Sequence, residues 1–403
     1  MMKKWKNICF LNSNDGTGLL AFGIQNEFIL EKGQSIEQLQ HYIDENKGSF
    51  LFGSLSYELK NEFEQLTSKN TDELAYPLAH FWTPTYVIHL DKEKFDYLQG
   101  DQDQESFDFL DYFMEEEIDH NFHSFPYRFT PRTSKERYIS QVNALKDHIQ
   151  RGDIYEVNYC QEFYAEQVEI EYPLDTYFKL NRITKAPFSS FLQTDHHAIF
   201  CGSPERYLKK SGNKIISQPI KGTAARGKNE LEDAQLIQQL QSDPKERSEN
   251  IMIVDLVRND LSRIAKKGSV EVTELCGIHT FETVHQMIST IECEVDEKLP
   301  FTEVLRASFP MGSMTGAPKI EAMKIIDQVE DFNRGIYAGS IGYISPNGDF
   351  DFNVVIRSFI YHREKKYLSC SVGGAITILS DPEKEYEECQ TKIQKILNGM
   401  YAE

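Results

Sequence analysis

Gln218-Pro219-Ile220-Lys221-Gly222-Thr223 organises the reading of this chain. Ahead of it, Lys214-Ile215-Ile216-Ser217 has the short apolar run of a strand. Pro219 lacks a backbone donor and interrupts a sheet ladder. Gly222 permits a tight turn or a close approach to a ligand. One lysine stands between them on stiff backbone. Partial desolvation there would lower its pKa and make its amine a usable nucleophile. Taken alone, Lys221 is more simply a solvated surface residue, so its meaning depends on the rest of the chain.

At 403 residues, length alone suggests two or three domains. A hydrophobic content of 40%, with 12% aromatics, is ample for a large core. No run of 18 apolar residues occurs, so no membrane span is expected. The start, Met1-Met2-Lys3-Lys4-Trp5-Lys6-Asn7, lacks the apolar stretch of a signal peptide. Seven cysteines lie scattered, with no Cys-x-x-Cys pair. That pattern points to a reducing cytoplasm, with neither structural zinc nor a disulfide framework. The net charge of −20 disfavours nucleic acid and anionic membranes as partners. It leaves room for a small anionic substrate held by a bound cation and local Arg or Lys.

The first part, to about Leu98, looks like an α+β meander without a catalytic motif. Residues 101–120 then hold nine Asp or Glu and no Lys or Arg, which favours an acidic solvated linker. Interleaved Phe107, Phe109, Leu110 and Phe113 offer the alternative of docking on the body. Thr133 and Glu136 form a capping box for a helix carrying Tyr138, Val142, Leu145 and Ile149, which Gly152 stops. Alternation then predicts a strand with Tyr155, Val157, Tyr159 and Phe163 on one face. After the lysine comes Gly222-Thr223-Ala224-Ala225-Arg226-Gly227-Lys228-Asn229. It differs from a P-loop in having Asn229 where magnesium needs Ser or Thr.

The polar residues that could carry chemistry follow. A helix of about residues 244–265 places Glu249 on the same face as Met252, Ile253 and Leu256. A carboxylate there is costly unless a salt bridge or a cation compensates it. A strand at about residues 281–290 carries a lone histidine, His285, more often structural than catalytic. The glycine-rich stretch from Leu305 to Lys319 runs into Ala317-Pro318, with proline placed as the first helical residue. Such a helix start suits an anion, or is simply an ordinary cap. Strands at about residues 339–345 and 352–361 follow, the second carrying Arg357. Ser371-Val372-Gly373-Gly374-Ala375 makes a small-residue turn. The last helix starts at Ser380-Asp381-Pro382, with a core stripe of Tyr386, Ile393, Ile396 and Leu397. Glu385, Glu388 and Lys392 lie beside that stripe. They form either a solvated i,i+4 pair worth about 0.3–0.5 kcal/mol, or a magnesium carboxylate beside a ligand-contacting lysine.

Six stretches occur in one order: Gly152-Asp153-Ile154-Tyr155-Glu156-Val157-Asn158, Ser203-Pro204-Glu205-Arg206, Pro219-Ile220-Lys221-Gly222-Thr223, Asp255-Leu256-Val257-Arg258-Asn259-Asp260-Leu261, Gly316-Ala317-Pro318-Lys319 and Ser380-Asp381-Pro382-Glu383. Together they resemble the chorismate-utilising enzymes, most closely the aminodeoxychorismate synthase branch, strongly from about Thr133 onward and weakly before it. The resemblance implies an α+β fold: a single large chorismate-binding domain of two packed antiparallel sheets flanked by helices. Residues 1–132 would complete the sheets, with the acidic linker at about 99–125, and residues 133–403 would be the catalytic core. That replaces the several domains suggested by length.

The resemblance also implies Mg2+ held by Glu249 and Glu388, with Glu385 near the ion. Tyr337 and Arg357 would hold the enolpyruvyl carboxylate. Ser313, Gly373, Ala375 and Lys392 would surround the ring carboxylate and its metal. Isochorismate and salicylate synthases carry a water-activating lysine where this chain has Glu156. Anthranilate synthases usually carry alanine where it has Lys221. Lys221 would then attack C2 of chorismate, and ammonia would displace it at C4 to give 4-amino-4-deoxychorismate, a precursor of 4-aminobenzoate and folate. Ammonia would come from glutamine through a separate glutaminase subunit, since no Gly-x-Cys-x-Gly stretch is present. Two departures stand out. Gln286 occupies the place of a family histidine, for which Lys221, His285 or a metal-bound water could substitute, and Ala375 replaces a common glycine. Competing expectations are an anthranilate synthase component I, a catalytically silent chorismate-binding protein, and a nucleotide-binding protein using residues 222–229.

Overall fold

Along the strand Ile8–Asn12, Ile8 and Phe10 pack with helical residues in one core, while Cys9 and Leu11 face a second core. The strand Gly18–Phe22 divides in the same way, with Leu20 and Phe22 on one side and Ala21 on the other. Side chains alternate along a strand, so an unbroken apolar run means that both faces are covered. The computed structural model describes residues 5–64, 66–92, 94–118 and 123–401.

Their strands form two antiparallel sheets. The first runs Gly316–Ala317, Glu156–Ala165, Tyr367–Ile376, Ser358–His362, His197–Ser203, Phe188–Gln193, Ile8–Asn12, Gly18–Phe22, Tyr86–Asp91 and Lys94–Gln99. The second runs Ile220–Ala225, Val284–Glu294, Lys214–Gln218, Arg206–Ser211, Phe350–Asn353, Ser340–Ile344, Leu51–Leu55, Ala79–Thr83 and Asn26–Leu30. Leu192, Ile199 and Cys201 of the first share a core with Phe52, Phe81 and Leu208 of the second. Helices Lys135–Arg151, Pro173–Thr184 and Pro382–Tyr401 pack on the first sheet, and Pro244–Ser262 packs on the second. This is the two-sheet, helix-flanked α+β arrangement that the resemblance implied. Among the described residues no helix is long and apolar enough to cross a membrane.

Several local expectations shift. The acidic stretch is no solvated linker where it is described. Gln104–Ile118 is a helix whose Phe109, Leu110 and Phe113 are buried in the core, leaving the carboxylates outside. Residues 119–122 of that stretch lie outside the described residues. Ser134, not Thr133, caps the next helix, accepting from the Arg137 N–H, while the Thr133 hydroxyl donates to Asp331 at 3.0 Å. Tyr155 is 64% exposed, lying just before the strand Glu156–Ala165 with its N–H donating to the Ala317 carbonyl.

The strand expected over residues 352–361 is two strands in different sheets, Phe350–Asn353 and Ser358–His362. The chain crosses between the sheets at buried Val354 and Val355, with Arg357 in left-handed backbone at φ 53°. No Gly or Pro marks this crossing. Pro318 precedes its helix, Lys319–Val329, and Gly316–Ala317 instead pair with Val157 and Glu156. A Cβ on Gly316 would lie 2.2 Å from the Glu156 carbonyl oxygen, so only glycine fits there.

Candidate active site

Lys221 lies within the strand Ile220–Ala225, not beyond a strand end. The ladder to Val284–Glu294 pairs Ile220 with Ile288 and Thr223 with Gln286, so a bulge falls at Lys221 and Gly222. Gly222 takes φ 89°, which a side chain would strain. The bulge re-aims Lys221 across the molecule. Its Nζ stands 3.3 Å from Glu156 Oε1, joining the second sheet to the first. The lysine side chain is 12% exposed and the glutamate 1%. Burial pulls the Lys221 ammonium down, but Glu156, Glu249 and Glu205 more than offset it and hold it above lysine's ordinary value. The lowered pKa expected from desolvation alone is therefore reversed by these carboxylates.

Glu205 belongs to the stretch Ser203-Pro204-Glu205-Arg206, whose sequence alone assigns it no role. It sits where the chain crosses from strand His197–Ser203 of the first sheet to Arg206–Ser211 of the second. This crossing runs beside that of residues 354–357. The Val354 N–H donates to the Glu205 carbonyl, and the Gly202 N–H donates to that of Arg357. Two buried crossings thus bring Glu205 and Arg357 together. Burial pushes the Glu205 carboxyl up to about 7, against the Ser313 hydroxyl, Lys221, the Ile220 N–H and Arg357. Ser313 Oγ donates to Glu205 Oε1 at 2.6 Å. Burial lowers the pKa of the Arg357 guanidinium, with Glu205 opposing it.

The loop carrying Ser313 is held by two buried cations. Arg334 donates to the Met314 carbonyl at 2.7 Å and to that of Asn158 at 2.9 Å, while paired with Glu330. Lys319 donates to Asp260 at 2.5 Å and to the Ser308 carbonyl at 2.8 Å. Neither role was legible beforehand, although Asp260 and Lys319 lie in quoted motifs.

Glu249 is buried on the helix Pro244–Ser262, and burial pushes its carboxyl up to about 7 despite nearby Lys221. Its Oε1 accepts no hydrogen bond. Lys245 stands 3.8 Å from that oxygen and 3.3 Å from Glu385 Oε1. Glu388 pairs with Lys392 at 2.8 Å, and Lys392 also donates to the Gly373 carbonyl at 2.8 Å. Burial opposes the Glu388 charge, but Lys392, with Lys245 and Lys221, more than offsets it and holds that carboxyl below its ordinary value. No preformed cage of three His, Cys, Asp or Glu exists among the described residues. The all-oxygen set of Glu249, Glu385 and Glu388, with one buried unpartnered oxygen, nevertheless fits Mg2+, which usually takes one or two carboxylates beside substrate and water oxygens.

Gly373 and Ala375 lie not in a turn but within the strand Tyr367–Ile376, opposite Cys160 and Asn158 of the strand that carries Glu156. Tyr337 is buried with its hydroxyl 3.9 Å from Cys160 Sγ. Gln286 is fully buried, and neither atom of its amide has a partner; Glu156 Oε2 is equally unmatched. His285 cannot replace a catalytic acid there, because its nitrogens engage Asp233 and Thr280, both at 2.9 Å. The P-loop likeness also dissolves. Residues 222–225 are strand, Asn229 caps the helix Glu230–Ser242, and the Gly227 and Lys228 N–H groups donate to Asp233 and Glu232. Carboxylates of its own helix hold the donors a phosphate would need.

The chain matches the family described as chorismate binding enzyme over residues 6–398. It is 40% identical over 267 residues to aminodeoxychorismate synthase component 1 of Escherichia coli, covering 66% of this chain and 58% of that protein. A Synechocystis anthranilate synthase component I-like protein is 33% identical over 350 residues, covering 86% of this chain and 72% of that one. Anthranilate synthase component I from Streptococcus pneumoniae superposes with a TM-score of 0.81 at 26% identity, over 94% of this chain and 92% of that one. The chain belongs to the chorismate binding enzyme family.

Proposed function

We propose that this chain is the synthase subunit of an aminodeoxychorismate synthase, an amino-transfer enzyme converting chorismate and ammonia to 4-amino-4-deoxychorismate. The observation that carries this reading is Lys221, aimed between the sheets at Glu156. The names of relatives such as the Escherichia coli component 1 support it. They also support a partner subunit, for which a glutaminase supplying ammonia is the fitting chemistry. A cytoplasmic location completes the proposal.

Glu156, 3.3 Å from the Lys221 ammonium, would take its proton. The free amine then forms a bond to C2 of the ring, the double bonds shift, and the C4–oxygen bond breaks. Glu205, protonated near neutrality, gives its proton to the departing hydroxyl, which leaves as water. Ammonia adds at C4, the double bonds shift back, and the C2–nitrogen bond breaks; the new C4 ammonium gives a proton to Glu205, and Glu156 returns its proton to the released lysine amine. Glu205 thereby supplies the acid that Gln286 cannot. Arg357, with Tyr337, would orient the enolpyruvyl carboxylate. Ser313, Gly373, Ala375 and Lys392 would surround the ring carboxylate. Glu249, Glu388 and Glu385 would hold Mg2+, which when bound neutralises that carboxylate.

The test is to incubate the purified chain with chorismate, Mg2+ and ammonium and to identify the product by chromatography. Aminodeoxychorismate is expected. Anthranilate, consistent with the Synechocystis relative's name, would replace this proposal with the anthranilate branch. Chorismate binding without turnover would instead identify a silent binding protein.

A further inference from the structure

Lys245 is placed unfavourably for its helix. It lies in the first turn of Pro244–Ser262, its N–H donating to the capping carboxylate of Asp243. A positive charge there opposes the helix dipole, where acidic residues are the stabilising choice. Helix stability therefore does not account for it, but its side chain does. The ammonium lies 3.8 Å from Glu249 Oε1 and 3.3 Å from Glu385 Oε1, bridging two helices that approach from opposite sheets. Both carboxylates are buried, their side chains 8% and 5% exposed. The Lys245 side chain is 41% exposed, so its ammonium has water to move into. Glu249 Oε1 has this loose ion contact and no hydrogen bond.

We propose that Lys245 is a resident cation that holds Glu249 and Glu385 together in the metal-free enzyme and is displaced when a divalent cation binds there. This rests on the reading of the site as a cation and chorismate site. A buried pair of carboxylates without a counter-charge repels itself and resists ionisation. Lys221 also faces Glu249, but Lys245 is the cation that spans both carboxylates and offsets their mutual repulsion while the enzyme is empty. A divalent ion at the same oxygens would stand within a few ångströms of the ammonium, so one excludes the other. The long flexible stem lets the ammonium swing into solvent without moving the backbone. Metal binding by the free enzyme is thereby weakened. Substrate carboxylate oxygens add charge that favours the divalent ion, so metal and substrate bind more tightly together than separately.

Calorimetric titration of the full chain with MgCl2 alone, at low ionic strength, tests this in wild type, Lys245→Met and Lys245→Arg. Lys245→Met is expected to bind Mg2+ about tenfold more tightly than wild type, and Lys245→Arg no more tightly than wild type. In EDTA, Lys245→Met is expected to unfold at a lower temperature than wild type, with Mg2+ restoring the difference. Lys245→Gln, purified in Mg2+, serves if the Met variant does not fold. Equal or weaker Mg2+ binding by the uncharged variants overturns the proposal while leaving the cation site intact. Absence of Mg2+ binding in every protein, with or without chorismate, overturns the underlying site reading as well.

Discussion

Two buried ion pairs in this molecule look alike by charge and differ in what surrounds them. Arg334 and Glu330 are each about 1% exposed, and their bonding is closed. Arg334 reaches both Glu330 oxygens and two backbone carbonyls, and Glu330 also accepts the Cys160 N–H. Lys221 and Glu156 are nearly as buried, but their surroundings are open. Glu156 Oε2, Glu249 Oε1 and both amide atoms of Gln286 have no hydrogen-bond partner. Buried polar groups in folded proteins are nearly always satisfied. A closed pair therefore locks backbone together, whereas an open one marks where a polar ligand completes the set.

Breaking each side of this contrast should give different signatures. Lys221→Ala is expected to reduce aminodeoxychorismate formation on the order of 10^4-fold, read by product chromatography, since it removes the proposed nucleophile. Undiminished formation would remove the covalent step. Arg334→Met should cost about 3–5 kcal/mol in urea unfolding, because Glu330 is left buried without a counter-charge. A loss under about 1 kcal/mol would deny that the pair is structural.

Glu205→Gln should lower turnover roughly 10^2-fold or more. In wild type, turnover should fall as pH rises through about 7, where Glu205 loses the proton it is proposed to donate. That limb should vanish in the variant. Stability gives a second readout with a definite sign. The folded state binds this proton more tightly than the unfolded chain. The resulting stabilisation is complete below the ordinary carboxylate range and is lost as pH rises to about 7. Glu205→Gln should therefore gain stability relative to wild type at pH 8, but not at low pH. The smallest effect is on the open side: Gln286→Leu should raise stability by about 1 kcal/mol by removing a buried unpaired amide. A fall of that size would mean the amide is already satisfied.

The same contrast explains what could be read beforehand. Most strands and the burial of Glu249 on its helix follow from periodicity, and Pro219 and Gly222 mark a backbone event at Lys221, although that event is a bulge inside a strand and not a turn beyond one. The crossing at residues 203–206 carries a proline. The crossing at residues 354–357 has only Val, Val, Ile and Arg, so one strand was expected where two sheets are spanned. In residues 101–118 the acidic charge outweighed Phe109, Leu110 and Phe113, and docking, the alternative reading, is what the structure shows, because charge on one helix face says nothing about the other. Glu205 and Lys319 act through partners far away in sequence, and Arg334, although paired with Glu330 four residues before it, also holds the Met314 and Asn158 carbonyls; no local pattern announces those distant contacts. The direction of the Lys221 shift needed the same long-range knowledge, since Glu156, Glu205 and Glu249 come from three separate elements.

The central claim is that Lys221 bonds to the substrate. Intact-mass measurement of the chain with chorismate and Mg2+, without ammonia or glutamine, tests it most directly. The account predicts a species heavier by chorismate less one water, mapped by peptide digestion to Lys221 and discharged by ammonium. An adduct that persists in Lys221→Ala, or full turnover with no lysine-bound species at any time, would contradict it.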